Sequence, residues 1–93
     1  MTKNWIGEIV KEFVLRVDGL EFSVKGLIVK SRGPEGEDTF EWAISHYYKP
    51  SEKAATIYIP SARSGKTLEE AEQLLMAYMQ TFTTLDVTPN QYY

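Results

Sequence analysis

Residues 12–29 read EFVLRVDGLEFSVKGLIV, two β-rich runs separated by Asp18-Gly19. An Asp-Gly pair tolerates positive φ at both centres of a type I′ turn, so the stretch predicts a hairpin with a two-residue connection. That connection sets Val17 opposite Leu20, Leu15 opposite Phe22 and Phe13 opposite Val24, so apolar side chains meet on one face. On the other face Arg16 falls opposite Glu21 and Glu12 opposite Lys25. Exposed pairs of this kind contribute only about 0.2–1 kcal/mol each, so they report register more than stability. Gly26 interrupts the second run and is expected to mark a bulge or bend.

Downstream, Arg32 to Asp38 is dense in turn formers and acidic residues and reads as a solvated loop. From Thr39 to Lys49 strict alternation predicts a third strand with Phe40, Trp42, Ile44, His46 and Tyr48 toward the core. Glu41, Ala43, Ser45, Tyr47 and Lys49 take its other face. Pro50 to Lys53 forms a turn, and Ala54 to Ile59 returns as a short edge strand ending at Pro60. With Lys49 facing Ala54, His46 faces Ile57 and Ile44 faces Ile59.

Thr67-Leu68-Glu69-Glu70 matches a capping box, in which the Thr67 hydroxyl accepts the Glu70 amide and the Glu70 carboxylate reaches back to the Thr67 amide. A helix should start there. Leu68, Ala71, Leu75, Tyr78 and Phe82 recur at helical spacing, with Leu74 and Met79 widening the stripe. Glu69, Glu70, Gln73 and Gln80 face water. The β-branched run Thr81 to Thr84 weakens the helix end, and residues 85–93 read as an irregular tail. The fold class is therefore α+β: a four-stranded antiparallel sheet in a ββββ meander, with one C-terminal helix packed on one face. The whole of residues 1–93 reads as a single domain. The element order resembles that of the Whirly and Pur-alpha repeats, single-stranded nucleic-acid-binding folds in which four strands also precede a helix.

Composition narrows the function classes. In 93 residues, 10 Lys+Arg against 13 Asp+Glu give a net charge of −3, and the mixed signs offer no extended positive field for a phosphate backbone. The absence of cysteine removes disulfides, thiolate catalysis and sulfur-based zinc sites. Met1-Thr2-Lys3-Asn4-Trp5 lacks the apolar core of a signal peptide, and no apolar run has the length of a membrane span. A cytoplasmic protein, off the membrane, is expected.

Residues 60–67, PSARSGKT, invite comparison with the phosphate-binding loop G-x-x-x-x-G-K-[ST]. Gly65, Lys66 and Thr67 sit at the right offsets, but Pro60 replaces the first glycine, fixing φ and removing a donor. Nucleotide hydrolysis is not expected. A weaker role survives, in which Arg63, Lys66 and Thr67 beside free helix amides hold an anion. Glu69 and Glu70 compete for the same end of the helix dipole. His46 is the sole histidine; a structural imidazole beside Trp42 or Ile57 is the expectation, since no Ser or Asp lies at triad-like spacing. Glu35, Glu37 and Asp38 lack the ligand spacing of an EF-hand. No catalytic residue, metal or cofactor is assigned.

One helix covers only one side of a sheet. The opposite face carries Val14, Leu27, Val29, Tyr47 and Tyr58 among Glu12, Arg16, Lys25, Glu41 and Lys49, a composition that fits an interface. A noncatalytic protein-interaction module, self-associating as a homodimer through Leu27, Val29, Tyr47 and Tyr58, is the leading expectation. The alternative is a single-strand nucleic-acid binder that stacks bases on Tyr47 and Tyr58.

Overall fold

The computed structural model describes residues 7–32 and 35–93. The readings of Met1 to Trp5, and of Gly33 and Pro34 in the acidic loop, lie outside the described residues. Strands β1 (Gly7–Leu15), β2 (Val24–Arg32) and β3 (Asp38–Ile44) form an antiparallel meander, and a short β5 (Ser64–Gly65) pairs beyond β3. The four-stranded order is β1-β2-β3-β5. Helix α1 (Leu68–Gln80) packs on one face, as the α+β reading requires.

The fourth strand is not the expected one. Ala54 to Ile59 makes a single bridge, Tyr48 to Tyr58, while Phe40 and Glu41 pair with Gly65 and Ser64. The first hairpin also differs in register, because Leu15 pairs with Val24 and Phe13 with Gly26, two residues out of step with a tight Asp18-Gly19 turn. Residues 16–23 form a longer connection. Within it the Leu20 amide donates to the Val17 carbonyl at 3.0 Å, and of the two central residues only Gly19 has positive φ, +96°. Glu12 consequently faces Leu27 and Val14 faces Lys25, so the expected charge pairs do not form. The longer connection frees Phe22 to stack on His46, with ring centroids 4.6 Å apart. A slip of two residues preserves which side chains share a face.

The ladder irregularity falls in β1 between Ile9 and Lys11, not at Gly26. Gly26 stays in register, and its bare backbone admits the helix: a Cβ there would lie 3.0 Å from Leu75 Cδ1. Gly65 plays the same part at the helix start, where a Cβ would lie 2.8 Å from Glu70 Cβ.

The third strand breaks at Ser45 and resumes as β4 (His46–Tyr47). Ser45 donates its amide to the Lys25 carbonyl at 2.8 Å, and its Oγ accepts the Lys25 amide at 2.8 Å. A side-chain oxygen thus replaces a backbone rung, and the chain turns. The tail, expected to be irregular, uses this bend: β6 (Thr88–Pro89) pairs with β4. Pro89 is tolerated because this small ladder does not need its missing donor.

Thr67 caps α1 by accepting the Glu70 amide at 3.1 Å. The Glu70 carboxylate reaches one residue further back than a capping box predicts and accepts the Lys66 amide at 2.7 Å. The predicted helix stripe is the buried one, with Ala71, Leu75, Tyr78 and Met79 set against Val24, Ile28, Trp42, Ile44 and Tyr48. Each fully buried aliphatic side chain of this kind contributes roughly 1.5–3 kcal/mol.

Candidate functional site

Alternation along the ladders assigns the face away from α1. The partners Leu27 and Ala43, Val29 and Glu41, and Ser31 and Thr39 lie on it, joined by Glu12 opposite Leu27 and Val14 opposite Lys25. Val14 is 65% exposed, whereas Leu27 and Val29 are half-buried. The β1 bulge adds a residue the sequence reading did not reach. By strict alternation Ile9 would share the core side with Lys11 and Phe13, but the extra residue Val10 turns Ile9 to the open face opposite Val29. Ile9 is 55% exposed there. On the core side, Lys11 instead meets Glu72 of the helix at 2.9 Å.

Tyr47 and Tyr58 do not share a face as the expected register would have them, although Tyr58 is 46% exposed. The bridge partner of Tyr48 is Tyr58, where the expected register would have placed Ala55. That offset of three residues is odd, so it moves Tyr58 to the other side of the chain. Its ring lies 5.0 Å from Tyr78 and 6.0 Å from Tyr48, and its carbonyl accepts the Tyr78 hydroxyl at 2.5 Å. Burial, reinforced by the neighbouring Tyr48, pushes the Tyr78 phenol well above its ordinary 10.0. Tyr48 hydrogen-bonds Thr81 in the same aromatic cluster.

Tyr47 instead lines a shallow depression of about 470 Å³ together with Glu41, Ala43, Arg63, Ser64, Asn90 and Tyr92. Arg63 is fixed there by its backbone, whose carbonyl accepts the Trp42 amide at 2.9 Å. Asn90 sets the far wall. Its side chain donates to the Ile44 carbonyl at 2.9 Å and accepts the Tyr92 amide at 3.0 Å, turning the tail across the sheet. Tyr92 is 87% exposed. Burial, reinforced by the Glu12 carboxylate, pushes the Tyr93 phenol up. Tyr92 and Tyr93 were missed because Pro89-Asn90 reads as a breaker.

Arg63, Lys66 and Thr67 are divided between two places. Arg63 belongs to the depression, whereas the Lys66 amide and the Thr67 hydroxyl are engaged by Glu70. The chain's own carboxylate holds the position an anion would take. His46 stacks on Phe22 rather than on Trp42 or Ile57, and its Nδ1 lies 2.8 Å from Ser45 Oγ. In the acidic turn, the Glu37 carboxylate accepts the Glu35 amide at 3.1 Å and Asp38 lies 3.6 Å from Lys30. Among the described residues no group of three metal-ligating side chains converges, and no helix is long and apolar enough to cross a membrane.

No family model, curated protein or solved structure matches the chain.

Proposed function

We propose that the chain is a noncatalytic protein-interaction module that self-associates through the sheet face opposite α1. The observation that carries this reading is the exposure of Ile9 and Val14 on the same face as Leu27 and Val29. Glu12, Lys25 and Glu41 border that strip and supply charges of both signs, which favour register and partner choice over raw affinity. Tyr47, Tyr92 and Tyr93 flank it with aromatic surface, enriched at the centres of interfaces.

Sedimentation over a wide concentration range tests the reading. The parent is expected to dimerise, Val14→Asp to weaken the dimer by about 2 kcal/mol or more, and Lys53→Ala in the distant turn to leave it unchanged. Circular dichroism confirms that each variant is folded. A strictly monomeric parent defeats the homodimer.

A second reading, single-strand nucleic-acid binding, draws support from Tyr47, Tyr92 and Arg63 sharing one depression. Stacked bases on the two rings with phosphate near the guanidinium would bind with strong salt dependence. An oligothymidine whose fluorescence anisotropy does not change with added protein at low salt removes it.

A further inference from the structure

The residues after the helix form an arm that adds no strand to the main sheet: it ladders with β4, packs Val87 on the core and ties Asn90 to the end of β3. β6 pairs only with β4, in a two-stranded sheet of its own. Asn90 donates its backbone amide to the Ser45 carbonyl at 2.8 Å and its side-chain amide to the Ile44 carbonyl at 2.9 Å. Lifting the arm therefore leaves every rung of the four-stranded sheet in place. All these acceptors lie on one strip, Ile44 to Tyr47, and nothing in them requires the arm to come from the same copy.

Leu85 already lies against the end of the strip, its carbonyl accepting the Lys49 amide at 2.9 Å, and the residue that follows is strained. Asp86 holds φ at +45°, the one positive value at a non-glycine among the described residues. The Thr88 hydroxyl fastens it by donating to the Asp86 carbonyl at 2.8 Å. An aspartate tolerates this conformation better than most residues but still lies above the extended form. Straightening such a turn and docking the segment on a second copy keeps the contacts and releases the strain, the usual route to exchanged dimers.

Resting on the self-association proposed above, we infer that two copies exchange their arms: Val87 to Tyr93 of each docks on the Ile44–Tyr47 strip of the other, with Asp86 as the hinge. The partner is a second copy of this chain. Tyr92 and Tyr93, carried by the arm, then cross onto the partner's open sheet face and join the two exposed faces.

The cysteine-free sequence makes the test direct. Tyr47 and Thr88 are register partners, and facing residues in an antiparallel ladder lie within disulfide reach. The double variant Tyr47→Cys/Thr88→Cys, equilibrated at high concentration and then oxidised, should give covalent dimers on a non-reducing gel, and covalently closed monomers when oxidised at high dilution. Because Tyr47→Cys removes core contact, a second measurement uses the parent: in a mixture of isotope-labelled and unlabelled chains, filtered NOEs should join Thr88 of one copy to Tyr47 of another. Asp86→Gly, which relaxes the closed turn, should raise the dimer dissociation constant about fivefold or more. A parent that dimerises while crosslinks and NOEs stay within one copy overturns exchange and leaves face-to-face association standing. A parent that is monomeric at every concentration overturns both.

Discussion

Ser45 Oγ lies 2.8 Å from His46 Nδ1 and also takes the Lys25 amide hydrogen at 2.8 Å. The Ser45 hydroxyl thus ties the imidazole of β4 to the backbone of β2. Burial holds the His46 pKa below its ordinary 6.5. Between the folded and unfolded values the unfolded chain binds more protons, so stability rises with pH. The favourable state is complete above about pH 6.5 and is lost as the pH falls through the folded value. Melting temperature should drop on acidification across that window, and His46→Gln should flatten the slope. An NMR titration of this single histidine with a midpoint at or above 6.5 would contradict the lowering by burial.

The two glycines against the helix should respond unequally to alanine. At Gly65 the new Cβ meets Glu70 Cβ at 2.8 Å and the Ala71 amide nitrogen at 3.0 Å, atoms held by the first helical turn. At Gly26 it meets the Leu75 methyls, which can rotate aside. Gly65→Ala is expected to cost about 1–3 kcal/mol and Gly26→Ala less. Thermal denaturation of both variants checks the order; equal losses would show that the helix start is free to shift.

Leu75→Ala should cost about 2–5 kcal/mol, because the side chain is fully buried and leaves a cavity. Gln73→Ala, on the exposed face, should be nearly silent. Combining Gly26→Ala with Leu75→Ala should cost less than the sum, since the Cβ added at Gly26 enters space that Leu75 vacates. Additive losses in chemical denaturation would mean that the two positions do not compete for the same volume.

Tyr78 makes the fold sensitive to alkali. Its phenol is pushed upward by burial, so the unfolded chain releases this proton first, and stability present below pH 10 declines as the pH rises through the folded value. Tyrosinate absorbance should show a late-titrating group that ionises together with unfolding, and Tyr78→Phe should remove that group. If all tyrosines ionise near pH 10 before ellipticity changes, the buried Tyr78 hydroxyl is not the cause.

Alternation and helical spacing exposed the core well. Trp42, Ile44 and Tyr48 are buried where period two puts them, and Ala71, Leu75, Tyr78 and Met79 lie on the predicted stripe. What escaped depends on counts that hydrophobic pattern does not encode. A two-residue slip in the first hairpin leaves every face unchanged and so leaves no trace in the alternation. The odd offset at Tyr58 does change the face, but a run as mixed as Ala54 to Ile59 fits either phase. On the open face Leu27 and Val29 were legible, while Ile9 depended on a bulge and Tyr92 on the long-range bond of Asn90 to Ile44.

The bulge at Val10 also governs how far this sheet can grow. β1 and β5 are its borders. β5 is too short to template another strand, and on β1 the doubled residue breaks the even spacing of amides and carbonyls that an incoming strand must match. Glu8, Lys11 and Glu12 place charges along that same border. Among the described residues the longest regular stretch of that border is therefore the five residues Lys11 to Leu15, a short template for strand-by-strand stacking of copies, and removing the bulge by deleting Val10 should make concentrated solutions more prone to cross-β polymer.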